Sequence, residues 1–122
     1  MPRVNSIKTL AVLRLAIGVS SWVAPKLAGG AFGLDAEANP QSPYLARLFG
    51  VRDAALGVGL LTTTGEARKQ WVQIGIACDV ADAIAGVAGG RAGYLSKTSS
   101  ALVTAAALSA IASGVMGLSE AD

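Results

Sequence analysis

Residues 99–118 read SSALVTAAALSAIASGVMGL, 20 positions without an Asp, Glu, Lys or Arg. A helix of that length is about 30 Å long, which matches the hydrocarbon thickness of a bilayer. Working back along the chain, residues 7–28, 44–63 and 70–89 form three more apolar stretches of similar length. No segment alternates with period two, and Ala and Leu outnumber β-branched residues in most stretches, so strands are not expected. The expected fold class is all-α: an integral membrane four-helix bundle, with residues 1–122 forming a single transmembrane domain.

The stretches are separated by ordinary breakers. Residues 29–43 carry Gly29-Gly30, Asp35, Glu37, Asn39-Pro40 and Ser42-Pro43, and read as a loop. Pro43 suits the first turn of the helix that follows, where a missing N–H costs nothing. Residues 65–69, Gly-Glu-Ala-Arg-Lys, read as a short turn, and Gly89-Gly90-Arg91-Ala92-Gly93 breaks the chain before the last span.

Composition agrees. Hydrophobic residues make up 52% of the chain and charged ones 15%, against about 25% charged in a soluble domain. Mean hydropathy is +0.53. The apolar bias comes from Ala, Leu, Val and Gly, which suits helices packed closely through small side chains. The alternative is a soluble Ala-rich helical bundle. The net charge is +2, and no basic cluster exceeds Arg68-Lys69, so no nucleic-acid partner is expected. With one cysteine, Cys78, and no histidine, intramolecular disulfides and Cys/His zinc sites are excluded. Acid–base chemistry would fall to carboxylates, Tyr, Lys or the thiol.

Arg3 and Lys8 precede the first apolar run as in a signal peptide. Arg14 interrupts that run and no A-x-A-like site follows, so it reads as a retained first span. Four spans put both ends on one side, with Arg3, Lys8, Arg68 and Lys69 facing Lys26, Arg91 and Lys97 on the other. Four against three directs the termini to the cytoplasm of a multi-pass plasma-membrane protein. Trp22, Trp71, Tyr44 and Tyr94 lie near span ends, where amphipathic rings favour the interface.

The unusual residues are six charges inside the spans: Arg14, Arg47, Arg52, Asp53, Asp79 and Asp82. An unpaired charge at mid-membrane costs ~2.5–3.5 kcal/mol on insertion scales, so such residues face the bundle interior and pair. Three of each sign permit a neutral polar centre. Gly75, Asp79, Asp82 and Gly86 follow i, i+4, i+7, i+11, one helix face with two acids flanked by glycines. Cys78 stands four residues before Asp82. Gly50, Ala54 and Gly57 form a small-residue face with Asp53 beside it, and Arg52 lies about 100° further round. Arg14 shares a face with Gly18, Ser21 and Pro25. Arg47, near the start of its span, is placed to snorkel toward headgroups. Asp79 and Asp82 lack a nearby third carboxylate, so no metal is proposed, and nothing calls for a cofactor.

The run Ala46-Arg47-Leu48-Phe49-Gly50-Val51-Arg52-Asp53-Ala54-Ala55-Leu56-Gly57, followed by Trp71 and Asp79-Val80-Ala81-Asp82, resembles a family of small four-span membrane proteins of unknown function. That family is domain of unknown function 4267, common in actinobacteria and broadly DoxX-like. Arg14, with Ala24-Pro25 closing the first span, fits the same pattern, and the resemblance covers residues 10–118. It implies a four-helix membrane fold and supplies no activity.

Two functions remain open. The chain is a binding or accessory (scaffold) module, its polar centre holding the bundle together or holding a small lipophilic ligand or lipid headgroup, as a homodimer or part of a larger membrane complex. Alternatively it is a membrane-embedded acid–base enzyme acting on a lipophilic substrate, with Asp79 and Asp82 as candidate catalytic groups. Beside both stands a purely structural role for the Arg–Asp pairs, Arg52 with Asp79 being one pairing that the sequence permits.

Overall fold

A computed structural model describes residues 6–120. Arg3, counted above among the topology-setting cations, lies outside the described residues. The fold is all-α, with five helices: α1 Ser6–Val23, α2 Pro25–Ala31, α3 Ser42–Thr62, α4 Gly65–Ala92 and α5 Lys97–Glu120. Among the described residues there is no strand.

The helix ends follow from local chemistry. Pro25 has no backbone N–H to donate, and the first apolar stretch accordingly breaks at Ala24, leaving α1 with 18 residues and α2 with seven. A proline stands in the opening turn of α3. Gly93 adopts φ +87 just after α4, and the N–H groups of Gly93 and Leu95 both bond to the Gly89 carbonyl. That left-handed cap favours glycine and ends the helix.

One expectation is corrected here. Residues 65–69, read as a turn, form the opening of α4, and only Thr63 and Thr64 separate it from α3. Glu66 lies in the first turn, where it complements the helix dipole, and Lys69 Nζ stands 3.7 Å from Glu66 Oε1. At 28 residues α4 is about 42 Å long, so its polar first turns run beyond the apolar part of the chain.

Neighbouring helices are antiparallel. On α1 and α3, Gly18 lies against the backbone of Gly50 and Ala54, and Gly57 lies against Ala11 and Leu15. A Cβ on Gly18 would stand 2.6 Å from the Gly50 carbonyl oxygen and the Ala54 nitrogen. The predicted small-residue face therefore exists, and it brings two backbones into contact. On α4 and α5, Gly86 packs on Thr104 and Gly114 packs on Ile76. The α3–α4 approach is looser, with Gly59 under the ring of Trp71. The molecule is thus two close helix pairs, α1/α3 and α4/α5, laid side by side.

The apolar core is small. Ile7, Leu10, Ala11, Leu60 and Val72 cluster at the end of the bundle where α1 begins, with Trp71, Ile76 and Leu118 against them. Large apolar side chains point outward instead: Leu13, Val19, Ile84, Leu108 and Val115 are all at least half exposed.

Three helices are long and apolar enough to cross a membrane: α1, α4 and residues Lys97–Ser119 of α5. The fourth expected span, residues 44–63, folds as α3 but is not among them. Arg47, near its start, and Arg52 and Asp53, at its middle, offset the leucines and valines around them.

Candidate functional site

The six charges expected inside the spans do not form one centre. They sort into a buried triad, a half-buried pair and a separate arginine.

The triad is Arg14, Asp53 and Asp79, each only 4% exposed. Arg14 comes from α1, Asp53 from α3 and Asp79 from α4, and each sits near the middle of its helix. Arg14 Nη2 donates to Asp79 Oδ2 at 2.6 Å and Nη1 donates to Asp79 Oδ1 at 3.2 Å. The same Nη1 also donates to Asp53 Oδ1 at 3.2 Å. The grip on Asp79 is bidentate, matching the planar guanidinium fork to a carboxylate. Gly75 makes room for it, since a Cβ there would stand 2.8 Å from Arg14 Nη2. One cation faces two carboxylates, with Arg14 Nε buried and without a hydrogen-bond partner.

The pair is Arg52 and Asp82. Arg52 Nη1 donates to Asp82 Oδ1 at 3.0 Å and Nη2 donates to Oδ2 at 2.5 Å. Their side chains remain 34% and 32% exposed. The guanidinium carbon lies 5.1 Å from the Phe49 ring centre, within cation–π range. Arg52 therefore reaches another helix, as its position round α3 predicts, and its acid is Asp82. Asp79 belongs to Arg14.

Arg47 joins no carboxylate among the described residues. Its Nε donates to the Trp22 carbonyl at 3.0 Å, and the guanidinium sits 5.8 Å from the Trp22 ring centre. The carbonyls of the last turn of a helix have no intrahelical partner, and α1 ends one residue after Trp22. Arg47 thus caps the broken end of α1. Trp22 and Phe49 were missed as partners. Pro25 was the available signal for Trp22, because a proline ends the helix before it and leaves the last-turn carbonyls in need of another donor.

The expected Asp79/Asp82 face divides by target. Asp79 meets α1 and Asp82 meets α3, while Gly86 on the same face accommodates Thr104 of α5. Both oxygens of each acid are engaged by one arginine. Two open cavities lie elsewhere, one between α4 and α5 and one around residues 26–37. Cys78 is a half-buried free thiol. Among the described residues no group of acids, Cys or His could hold a metal ion.

The two close helix pairs meet loosely, and at mid-length Arg14 and Arg52 reach from α1 and α3 to α4. Comparison with known proteins brings no match: no family model, curated protein or solved structure is similar to this chain.

Proposed function

We propose that this chain is an integral protein of the plasma membrane, crossing it four times with its termini in the cytoplasm, and that it serves as a binding or accessory module, not as a catalyst. The observation that carries the reading is the pairing of every mid-helix carboxylate with an arginine from another helix. Asp79 and Asp82 each have both oxygens bonded to one arginine of another helix.

The distribution of side chains supports the membrane. Arg14, Asp53 and Asp79 are inside with glycines such as Gly50, Gly57 and Gly75, while many leucines, valines and isoleucines lie outside, an arrangement that water disfavours and lipid accepts. Paired charges make α3 suitable as the fourth span. The resemblance carried by residues 46–57 and 79–82 fits four spans as well. The count of Arg3, Lys8, Arg68 and Lys69 against Lys26, Arg91 and Lys97 favours cytoplasmic termini.

A partner is part of the proposal. Polar groups in membranes normally face a protein interior, yet Arg52 and Asp82 stay about one-third exposed. A second copy, or a helix of a larger complex, laid on the α3–α4 face would cover them.

The test is fractionation followed by substitution. The chain is expected to stay in the membrane pellet through an alkaline carbonate wash, and the variant Arg52→Leu/Asp82→Leu is expected to stay there too. Recovery of the chain in the wash without detergent contradicts the membrane reading. A turnover abolished by Asp79→Asn in a protein that keeps its stability contradicts the module reading.

A further inference from the structure

The groove between α4 and α5 holds chemistry that the charge network does not use. It is an open cavity of about 460 Å³. Arg91, in the last turn of α4, and Lys97, the first residue of α5, stand at its mouth, and Val87, Ala101, Ala105 and Leu108 line it further down. Neither cation forms an ion pair with any described residue. Lys97 is also out of keeping with its position: a helix N-terminus favours negative charge, and the first turn of α5 has no acidic residue. Two unpaired cations at one end of an apolar groove call for an anion joined to an apolar tail.

The dimensions narrow the choice. From Lys97 to Leu108 the groove follows α5 for about 16 Å, at ~1.5 Å per residue. That is close to one leaflet, half of the ~30 Å hydrocarbon layer. Tyr94, 73% exposed in the link between the helices, marks this end as the interfacial level.

We infer that the α4–α5 groove seats one anionic phospholipid, its phosphate between Arg91 and Lys97 and an acyl chain lying along Ala101, Ala105 and Leu108. The inference rests on the membrane reading above.

The test uses the full chain in mild detergent, titrated with phosphatidylglycerol or with phosphatidylcholine of the same acyl chains and followed by native mass spectrometry. One phosphatidylglycerol is expected to bind in preference. Arg91→Gln/Lys97→Gln is expected to weaken it roughly thirty-fold, given the attraction of two interfacial cations. Ala105→Phe, which fills the groove and keeps both cations, is expected to abolish retention of the lipid. Equal binding of the two lipids overturns the assignment, as does undiminished binding by the double glutamine variant. Loss of self-association in Ala105→Phe with lipid binding intact also overturns it, because the groove then seats a second copy. The alkaline wash keeps the two readings apart. A chain that leaves the membrane in the wash fails the membrane reading, whereas a chain that stays but shows no lipid preference fails only the lipid seat.

Discussion

Arg14 and Asp79 are 65 positions apart in sequence, and they meet through two hydrogen bonds, the shorter 2.6 Å, from α1 to α4. Helices α1 and α4 make no close backbone contact of the kind that glycines allow between α1 and α3. The guanidinium spans the gap, lying on the bare backbone at Gly75. A long charged side chain thus serves where small residues serve elsewhere in the same molecule.

The triad sets one cation against two acids, and the acids are not equivalent. Asp79 takes both Nη groups of Arg14, whereas Asp53 shares one of them at 3.2 Å. Asp53→Asn leaves a matched Arg14–Asp79 pair. Asp79→Asn breaks the bidentate grip. Asp79→Asn is expected to cost about 1–3 kcal/mol more than Asp53→Asn, the range for losing a charge-assisted bond and leaving its partner buried. Thermal unfolding of both variants in detergent measures the difference.

The α1–α3 contact is backbone against backbone, so it tolerates no added carbon. Gly18→Ala places its Cβ 2.6 Å from the Gly50 oxygen and the Ala54 nitrogen, and it is expected to destabilise by ~1–3 kcal/mol through forced separation of the helices. Gly30→Ala, in α2 with nothing within 4 Å of the added carbon, is expected to be neutral or stabilising by up to ~1 kcal/mol. Parallel melts of the two variants check both signs.

Gly59 lies directly under the Trp71 ring. Gly59→Ala must push the ring away from the apolar cluster it packs against. In a Trp22→Phe background, which leaves Trp71 as the sole indole, the expected result is a changed Trp71 emission wavelength. An unchanged spectrum counts against this packing.

The proposed partner face can be read through the lone thiol. Cys78 is half-buried on α4, one turn before Asp82. If a second copy covers the α3–α4 face, a short bis-maleimide in native membranes is expected to yield a covalent dimer, absent in Cys78→Ser. Only monomer in the native chain excludes that arrangement.

Much of this was legible beforehand, and what was not has a physical reason. The uncharged run 99–118 locates α5 closely, whereas residues 89–92, read as part of a break, continue α4 and only Gly93 ends it. Pro25 marks the end of α1, and the face Gly50, Ala54, Gly57 points to the α1 contact, because small residues matter only where helices touch. The charges could be located but not paired. Pairing depends on how each helix is rotated and how closely it approaches its neighbours, and no single span encodes either. Arg52 thus finds Asp82 and leaves Asp79 to Arg14, and Arg47 finds a carbonyl. Residues 65–69 were unreadable by hydropathy for another reason. A polar helical turn in water carries the same composition as a loop.

The central claim is that the buried charges join the helices and do no chemistry. The direct measurement is the thermal stability in detergent of Arg14→Leu, Asp79→Leu and the triple variant Arg14→Leu/Asp53→Leu/Asp79→Leu. Arg14→Leu strands two buried carboxylates and is expected to cost ~3–5 kcal/mol, Asp79→Leu leaves Arg14 its one bond to Asp53 and is expected to cost less, while the triple replaces the whole network with apolar side chains and is expected to recover most of the Arg14→Leu loss. A triple variant as unstable as Arg14→Leu, or one that folds and loses a measurable turnover, contradicts the account.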